Sequence, residues 1–354
     1  MKRAVSQYQH GQRRLNDNDR PRIRSLHRAP LEDSITDRAQ PSLLHEKYKG
    51  HRKGKVIGHG ATAVIRLTEL PARPALLTAD LTTEHRPKTV IAVKAFRKRD
   101  HDESERQYRK RLTNEFCISK TLRHDHVVEM FDLMKDSKGR WCIAMEYCSG
   151  GDVFSILQKF DLNDGEIDCL FKQLLLGLHH MHRCGVAHRD IKPENLVMTA
   201  TGVLKITDFG VADVVQSCFD DTERESYGRC GSEPYWSPEL FAENQGYDGR
   251  ALDIWSAAVT WHCLLYRQIP FVKASMEDPK YVNFLDERPA RTWLPLSKCT
   301  DQEKDCLYQM FEPDPQLRWT SSQCLYSEYV ENIQICRHGL TPDGASHRHH
   351  IAAV

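Results

Sequence analysis

Two stretches in the first third of the chain carry residue types suited to holding phosphate. Gly58-His59-Gly60-Ala61-Thr62-Ala63 is a G-x-G-x-x-G-like pattern with Ala63 at the third glycine position. It lies between strand-like Lys55-Val56-Ile57 and Val64-Ile65-Arg66-Leu67, unlike the strand-to-helix turn of a dinucleotide fold. Such a loop can fold over phosphates and aim backbone N–H groups at them, and it can equally be an ordinary hairpin turn. Ile91-Ala92-Val93-Lys94 puts one lysine at the end of an otherwise apolar strand. A buried ammonium is costly unless paired. Lys94 therefore needs anionic partners, and Glu115 on a following helix is one candidate, nucleotide phosphate oxygens another. A strand-end lysine snorkelling to water is the plainer alternative.

Further along stand His188-Arg189-Asp190-Ile191-Lys192-Pro193-Glu194-Asn195, then Asp208-Phe209-Gly210, Ser237-Pro238-Glu239, Asp253-Ile254-Trp255-Ser256 and Arg318. With the glycine loop and the lysine, this ordered set resembles the eukaryotic protein kinase family over about 48–335, most of the chain. The resemblance implies an α+β, bilobal fold, with a small antiparallel-sheet N-lobe carrying one main helix and a larger, mainly helical C-lobe. It implies ATP and Mg²⁺ as cofactors. Phosphoryl transfer asks mainly for positioning and charge neutralisation. By the resemblance, Asp190 accepts the proton of the substrate hydroxyl, Asn195 and Asp208 ligate Mg²⁺, and Lys94, held by Glu115, grips the α and β phosphates. Lys192 reaches the γ phosphate. Gly58, His59, Gly60 and Ala61 would cover the phosphates. Ile65 and Ala92 from above and Val197 from below would sandwich the adenine, with Met145 as gatekeeper and Glu146 to Cys148 as hinge. Phe209 and His188 are expected to stack between the lobes.

Lys192 within D-I-K-P-E-N and Gly231-Ser232-Glu233-Pro234-Tyr235 are the serine/threonine forms of their motifs, so the resemblance implies a serine/threonine kinase acting on proteins. Asp152 and Glu194 match positions that pair with a substrate arginine, which would favour basic peptides; Asp152 bound to the ribose is the alternative. An upstream kinase would act on Ser226 first, or on Thr222 or Tyr227, with Arg189 clamping the phosphate. Ser119, four residues after Glu115, replaces an apolar residue and predicts a weakly anchored helix. Within the family, Glu115-Phe116-Cys117-Ile118, Met145 through Asp152 and Ile269-Pro270-Phe271 look like the fungal nitrogen-permease-reactivator/halotolerance kinases, implying signalling that regulates nutrient or ion transport. A catalytically silent pseudokinase scaffold is the alternative; it calls for a lost catalytic group, yet Lys94, Asp190, Asn195 and Asp208 are present.

The elements that must position these residues follow from pattern. Thr89–Phe96 and Trp141–Tyr147 read as strands, and residues 105–122 as a helix bearing Phe116, Ile118 and Leu122. Ile167–His182 is a helix with Leu170, Phe171, Leu174, Leu175 and Leu178 on one face. Residues 71–88 read as a surface loop. The expected division is a basic, disordered extension over 1–46, an N-lobe over 47–148, a C-lobe over 149–335 and a flexible His-rich tail over 336–354. Arg13, Arg14, Arg20, Arg22, Arg24 and Arg28 make the extension basic, while Asp17, Asp19, Glu32 and Asp33 argue against a mitochondrial presequence.

The 354 residues are 40% hydrophobic and carry a formal net charge of +1, enough for a large core and too little field to draw in nucleic acid. No apolar run approaches the roughly 18 residues of a membrane span. The start has no signal-peptide core, so the 12 cysteines are expected to remain thiols in a cytoplasmic protein.

Overall fold

The computed structural model describes residues 42–49, 52–59, 63–70, 89–99, 103–216, 222–242 and 245–349. A short helix, α1 (Leu44–Lys47), precedes two strands, β1 (Arg52–His59) and β2 (Ala63–Leu70). Then come β3 (Thr89–Phe96), α2 (Glu105–Thr121), β4 (Met130–Lys135) and β5 (Trp141–Glu146). The strands form one antiparallel sheet in the order β1-β2-β3-β5-β4. Helix α2 starts where Ser104 and Gln107 close a reciprocal capping box, satisfying two otherwise orphaned N–H groups.

Because side chains alternate across a strand, β3 serves two cores. Ile91, Val93 and Ala95 pack with Met134, Cys142 and Ala144 on one face. Ala92 and Phe96 join Ile143 and Met145 in the main core on the other. Lys94 shares this second parity, so its ammonium emerges on the side that faces the rest of the molecule.

Helix α1 revises the expected boundary of the N-terminal extension. Leu44 is buried in the outer cluster of the sheet, Leu43 bridges Lys135, and Lys47 and Tyr48 both bond Asp132. A short apolar pair, Leu43-Leu44, and two bonds to Asp132 thus dock it, which periodicity does not reveal. Residues 1–41 and the 71–88 connection lie outside the described residues.

The remainder is mainly helical. β6 (Gly151–Asp152) leads into α3 (Val153–Lys159), then α4 (Asp164–Arg183), β7 (Val186–Ala187), β8 (Leu196–Met198), β9 (Leu204–Ile206) and β10 (Asp213–Val214). They are followed by α5 (Gly249–Tyr266), α6 (Pro279–Glu287), α7 (Asp301–Met310), α8 (Ser321–Leu325) and α9 (Glu328–Asn332). The predicted apolar face of α4 is buried throughout. α5 is buried on all sides from Ala251 to Leu264, as the central helix of a large core must be. Trp255 on α5 anchors an aromatic group with Phe271, Tyr281, Phe284 and Phe311. Among the described residues no helix is long and apolar enough to cross a membrane.

His262 on α5 lies within this core, its Nδ1 2.7 Å from the Gln268 carbonyl and its ring beside Tyr266 and Trp293. Burial pushes its pKa down to about 4. A depressed histidine pKa stabilises the fold above the unfolded value of about 6.5, and that contribution is lost as pH falls towards the folded value. Denaturant midpoints measured at pH 8 and pH 5 are expected to show a loss of about 2 kcal/mol from this residue, and His262→Gln should flatten the difference.

Candidate active site

Lys94 is almost wholly buried, and its ammonium donates to Glu115 Oε1 at 2.6 Å and to Asp208 Oδ1 at 2.7 Å. The three residues come from β3, α2 and the turn after β9, so this contact joins the sheet to the helical part. Burial alone would lower the Lys94 pKa, but the two carboxylates outweigh it and raise it, keeping the lysine charged. Burial drives the Glu115 carboxyl upward, against the pull of Lys94. For Asp208 burial acts in the same direction, but the Lys94 charge and hydrogen bond prevail and hold the carboxyl below its ordinary value.

Ser119 is buried, and its hydroxyl donates to the Glu115 carbonyl at 2.6 Å. The hydroxyl is thus satisfied by its own helix. Here the weakly anchored helix expected from Ser119 is instead docked, through the Lys94–Glu115 pair.

The second cluster lies on the segment between β7 and β8. Lys192 donates to Asp190 Oδ2 at 2.9 Å and to the Ser232 hydroxyl at 2.7 Å. Asn195 Nδ2 donates to the Asp190 carbonyl at 2.8 Å and to its Oδ2 at 2.9 Å. Both contacts to the Asp190 carboxylate use Oδ2; Oδ1 is buried and has no hydrogen-bond partner. A carboxylate oxygen in that condition is an acceptor ready for a hydroxyl proton.

The segment carrying Ser232 approaches closely because residue 231 is glycine. Its φ is +76°, and a Cβ there would lie 2.4 Å from the Arg189 carbonyl oxygen and 3.1 Å from Asp190 Oδ1. Gly231→Ala is therefore expected to push the Ser232 stretch off Asp190 and to reduce turnover by about 100-fold. Steady-state kinetics beside a thermal melt that stays near wild type would separate this from unfolding.

One residue of this framework carried no assigned role in the sequence reading. Asp253, fully buried on α5, accepts from the backbone N–H groups of His188 at 2.8 Å and Arg189 at 2.7 Å, and its Oδ2 lies 2.9 Å from His182 Nε2. It fixes the chain just before Asp190. An ionisable residue inside the apolar run Ala251–Leu264 was the available signal, since such groups are buried only when fully partnered.

Among the residues expected to surround the purine, Ala92 and Met145 pair across β3 and β5, and Cys148 joins them in the main core with Leu196 and Met198. Ile65 and Val197 are half-buried against this cluster. Gly58 pairs with Ile65, whereas Gly60 and Ala61 lie outside the described residues, as does the side chain of His59. Glu146 binds Lys205 at 3.0 Å. Burial, with the Glu146 charge nearby, pushes the Cys148 thiol up to about 12.

Asp152 is engaged as the N-cap of α3, accepting from the Ser155 N–H at 2.7 Å and its hydroxyl at 2.8 Å, while Glu194 is exposed. Phe209 packs against His188 as expected, edge-on with centroids 5.3 Å apart. Ser226 is completely buried: it exchanges backbone hydrogen bonds with Tyr247, and its hydroxyl donates to Asp213 at 2.8 Å. It is out of reach of a modifying enzyme in this conformation, whereas Thr222 and Tyr227 are exposed. The Arg189 guanidinium is taken up by the Val211 carbonyl and the Tyr247 hydroxyl.

Glu239 and Arg318 form a bidentate pair at 2.8 and 3.0 Å, with the guanidinium 5.1 Å from the centre of the Trp255 ring. The pair ties the end of the 208–239 segment to the helical core.

A family model described as "Protein kinase domain" matches residues 78–330. The chain belongs to the protein kinase family. It is 36% identical over 318 residues to "Serine/threonine-protein kinase hal4" of Schizosaccharomyces pombe, covering 87% of this chain and 48% of that protein. It is 35% identical over 330 residues to "Serine/threonine-protein kinase HAL4/SAT4" of Saccharomyces cerevisiae, covering 89% and 52%. It is 37% identical over 201 residues to "Nitrogen permease reactivator protein" of the same yeast, covering 56% and 25%. This kinase chain thus spans about half the length of the first two relatives. The antiparallel sheet with its one main helix and the helical remainder are the two lobes of the kinase fold.

Proposed function

We propose that this protein transfers the γ-phosphate of ATP to serine or threonine hydroxyls of protein substrates. The observation that carries the reading is the joined constellation of Lys94, Glu115 and Asp208 on one side and Asp190, Lys192, Asn195 and Ser232 on the other. Asn195 offers an amide oxygen and Asp208 a half-exposed carboxylate, the hard donors that suit Mg²⁺, which when bound neutralises phosphate charge. Asp190 Oδ1 accepts the acceptor-hydroxyl proton, while Oδ2 is pinned by Asn195 and Lys192, so the carboxylate cannot rotate away. Lys192 lies between that carboxylate and Ser232, where its charge offsets the negative charge developing on the transferred group. Lys94, kept protonated by its two carboxylates, grips the α and β phosphates. Ile65, Ala92, Met145 and Val197 form the apolar walls for adenine, and Glu146 to Cys148 supply the backbone edge.

With Asp152 engaged as a cap, Glu194 is the acidic group that selects basic residues before the phosphoacceptor. The name of one relative, "Nitrogen permease reactivator protein", supports a signalling role in nutrient transport, with Thr222 or Tyr227 as the accessible sites for an upstream kinase. Phosphate transfer from labelled ATP to a degenerate peptide library tests the reading. Transfer to serine and threonine peptides with arginine enriched before the acceptor is expected, and Glu194→Ala should erase the enrichment alone. Absence of transfer from a chain that binds ATP would instead favour a scaffold.

A further inference from the structure

The C-terminal residues, expected to be a flexible tail, fold back onto α4 as far as residue 349. Antiparallel bridges join Arg337 to Leu340 and Leu340 to Ser346, and the His347 N–H donates to the Gly339 carbonyl at 2.8 Å. The His349 N–H donates to Glu166 Oε1, in the first turn of α4, at 2.8 Å. This turn brings Cys336, His347 and His349 together over Cys169 of α4; His350 lies outside the described residues.

All four side chains are buried: Cys169 and His349 are 0% exposed, Cys336 4% and His347 7%. One donor atom from each lies within 4.8 Å of every other, and among the described residues no other group of His, Cys, Asp or Glu is so arranged. The two sulfurs are 3.7 Å apart, and Cys336 Sγ is 3.2 Å from His349 Nε2. Tetrahedral bonds of about 2.3 Å to sulfur would set two thiolates about 3.8 Å apart. His349 thus turns Nε2 towards the sulfurs, and its Nδ1, like Nδ1 of His347, is buried without a hydrogen-bond partner. Cys169 Sγ receives the Gln173 amide at 3.3 Å and the Cys336 N–H at 3.4 Å, the kind of support that thiolate ligands receive. At Gly165 a Cβ would come within 3.2 Å of His347 Nε2, so glycine there leaves room for the imidazole.

We propose that Cys169, Cys336, His347 and His349 bind a structural Zn²⁺ ion that clips the C-terminal segment to α4. Two sulfur and two nitrogen donors around one point, with no exposed position for a substrate, suit a closed tetrahedral zinc site. Binding converts the two thiols to thiolates and releases their protons to solvent. The site is independent of the kinase reaction.

The test uses the full chain, purified under reductant without a polyhistidine tag. Elemental analysis is expected to find about one zinc per chain, and Cys336→Ser or His349→Ala should abolish it. Should those variants misfold, the wild-type chain stripped by a chelator and titrated with Co²⁺ gives the second readout. Tetrahedral d–d bands with a thiolate charge-transfer band, displaced by added Zn²⁺, are expected. A zinc-free wild type that also gives no such cobalt spectrum overturns the proposal. So does zinc retained at full stoichiometry in Cys336→Ser, or an intact mass showing a Cys169–Cys336 disulfide in place of the metal.

Discussion

Asp190→Asn is expected to lower kcat by about 10²–10⁴-fold while leaving the KM for ATP and the melting temperature close to wild type. The asparagine keeps the shape of the side chain, but with the amide placed at Oδ1 it offers a donor where a hydroxyl proton must be accepted. Its oxygen can still receive Lys192 and Asn195, which bond Oδ2 in the wild type. The loss should therefore fall on the chemical step. Kinetics at saturating ATP and peptide provide the check; a large rise in KM with kcat intact would mean that Asp190 binds substrate and does not act on its proton.

Asp253→Ala is expected to have the larger effect on stability, costing about 3–5 kcal/mol. One side chain satisfies the N–H groups of His188 and Arg189 and the His182 imidazole in a site closed to water. Removing it orphans three donors at once and also frees the segment that aims Asp190. Urea denaturation should show a lowered midpoint at an unchanged slope. At low temperature, where the variant remains folded, kcat should fall as well. Asp253→Asn, which keeps one acceptor oxygen, should fall between the two in both respects.

The residues that could be read in the sequence and those that could not differ in a definite physical way. Lys94 carries its signal locally, as a lone ammonium in an apolar strand, while the run from His188 to Asn195 takes its meaning from the motif resemblance. The single strands and the buried face of α4 follow from periods of two and 3.6, whereas the antiparallel sheet and the two lobes are what the family resemblance implies. The burial of Ser226 is not legible locally because it depends on Tyr247, which pairs with it from across a loop. Asp152 carries two compatible signals, a helix cap and a cleft carboxylate, and the first rests on the position of Ser155. Leu44 and the 336–349 segment sit in polar surroundings with no period, yet each is docked by a few long-range contacts that local pattern does not encode.

Cys148 has a practical consequence for chemical probes. A cysteine at the place proposed for the hinge invites electrophilic inhibitors, which react with thiolates. With its thiol pushed up to about 12, only about one molecule in 10⁵ would present the thiolate at pH 7. Iodoacetamide footprinting should leave Cys148 unlabelled, and acrylamide-bearing adenine mimics should owe their potency to reversible fit alone. Selectivity at this cleft is better sought through the shape of its apolar walls than through a covalent bond.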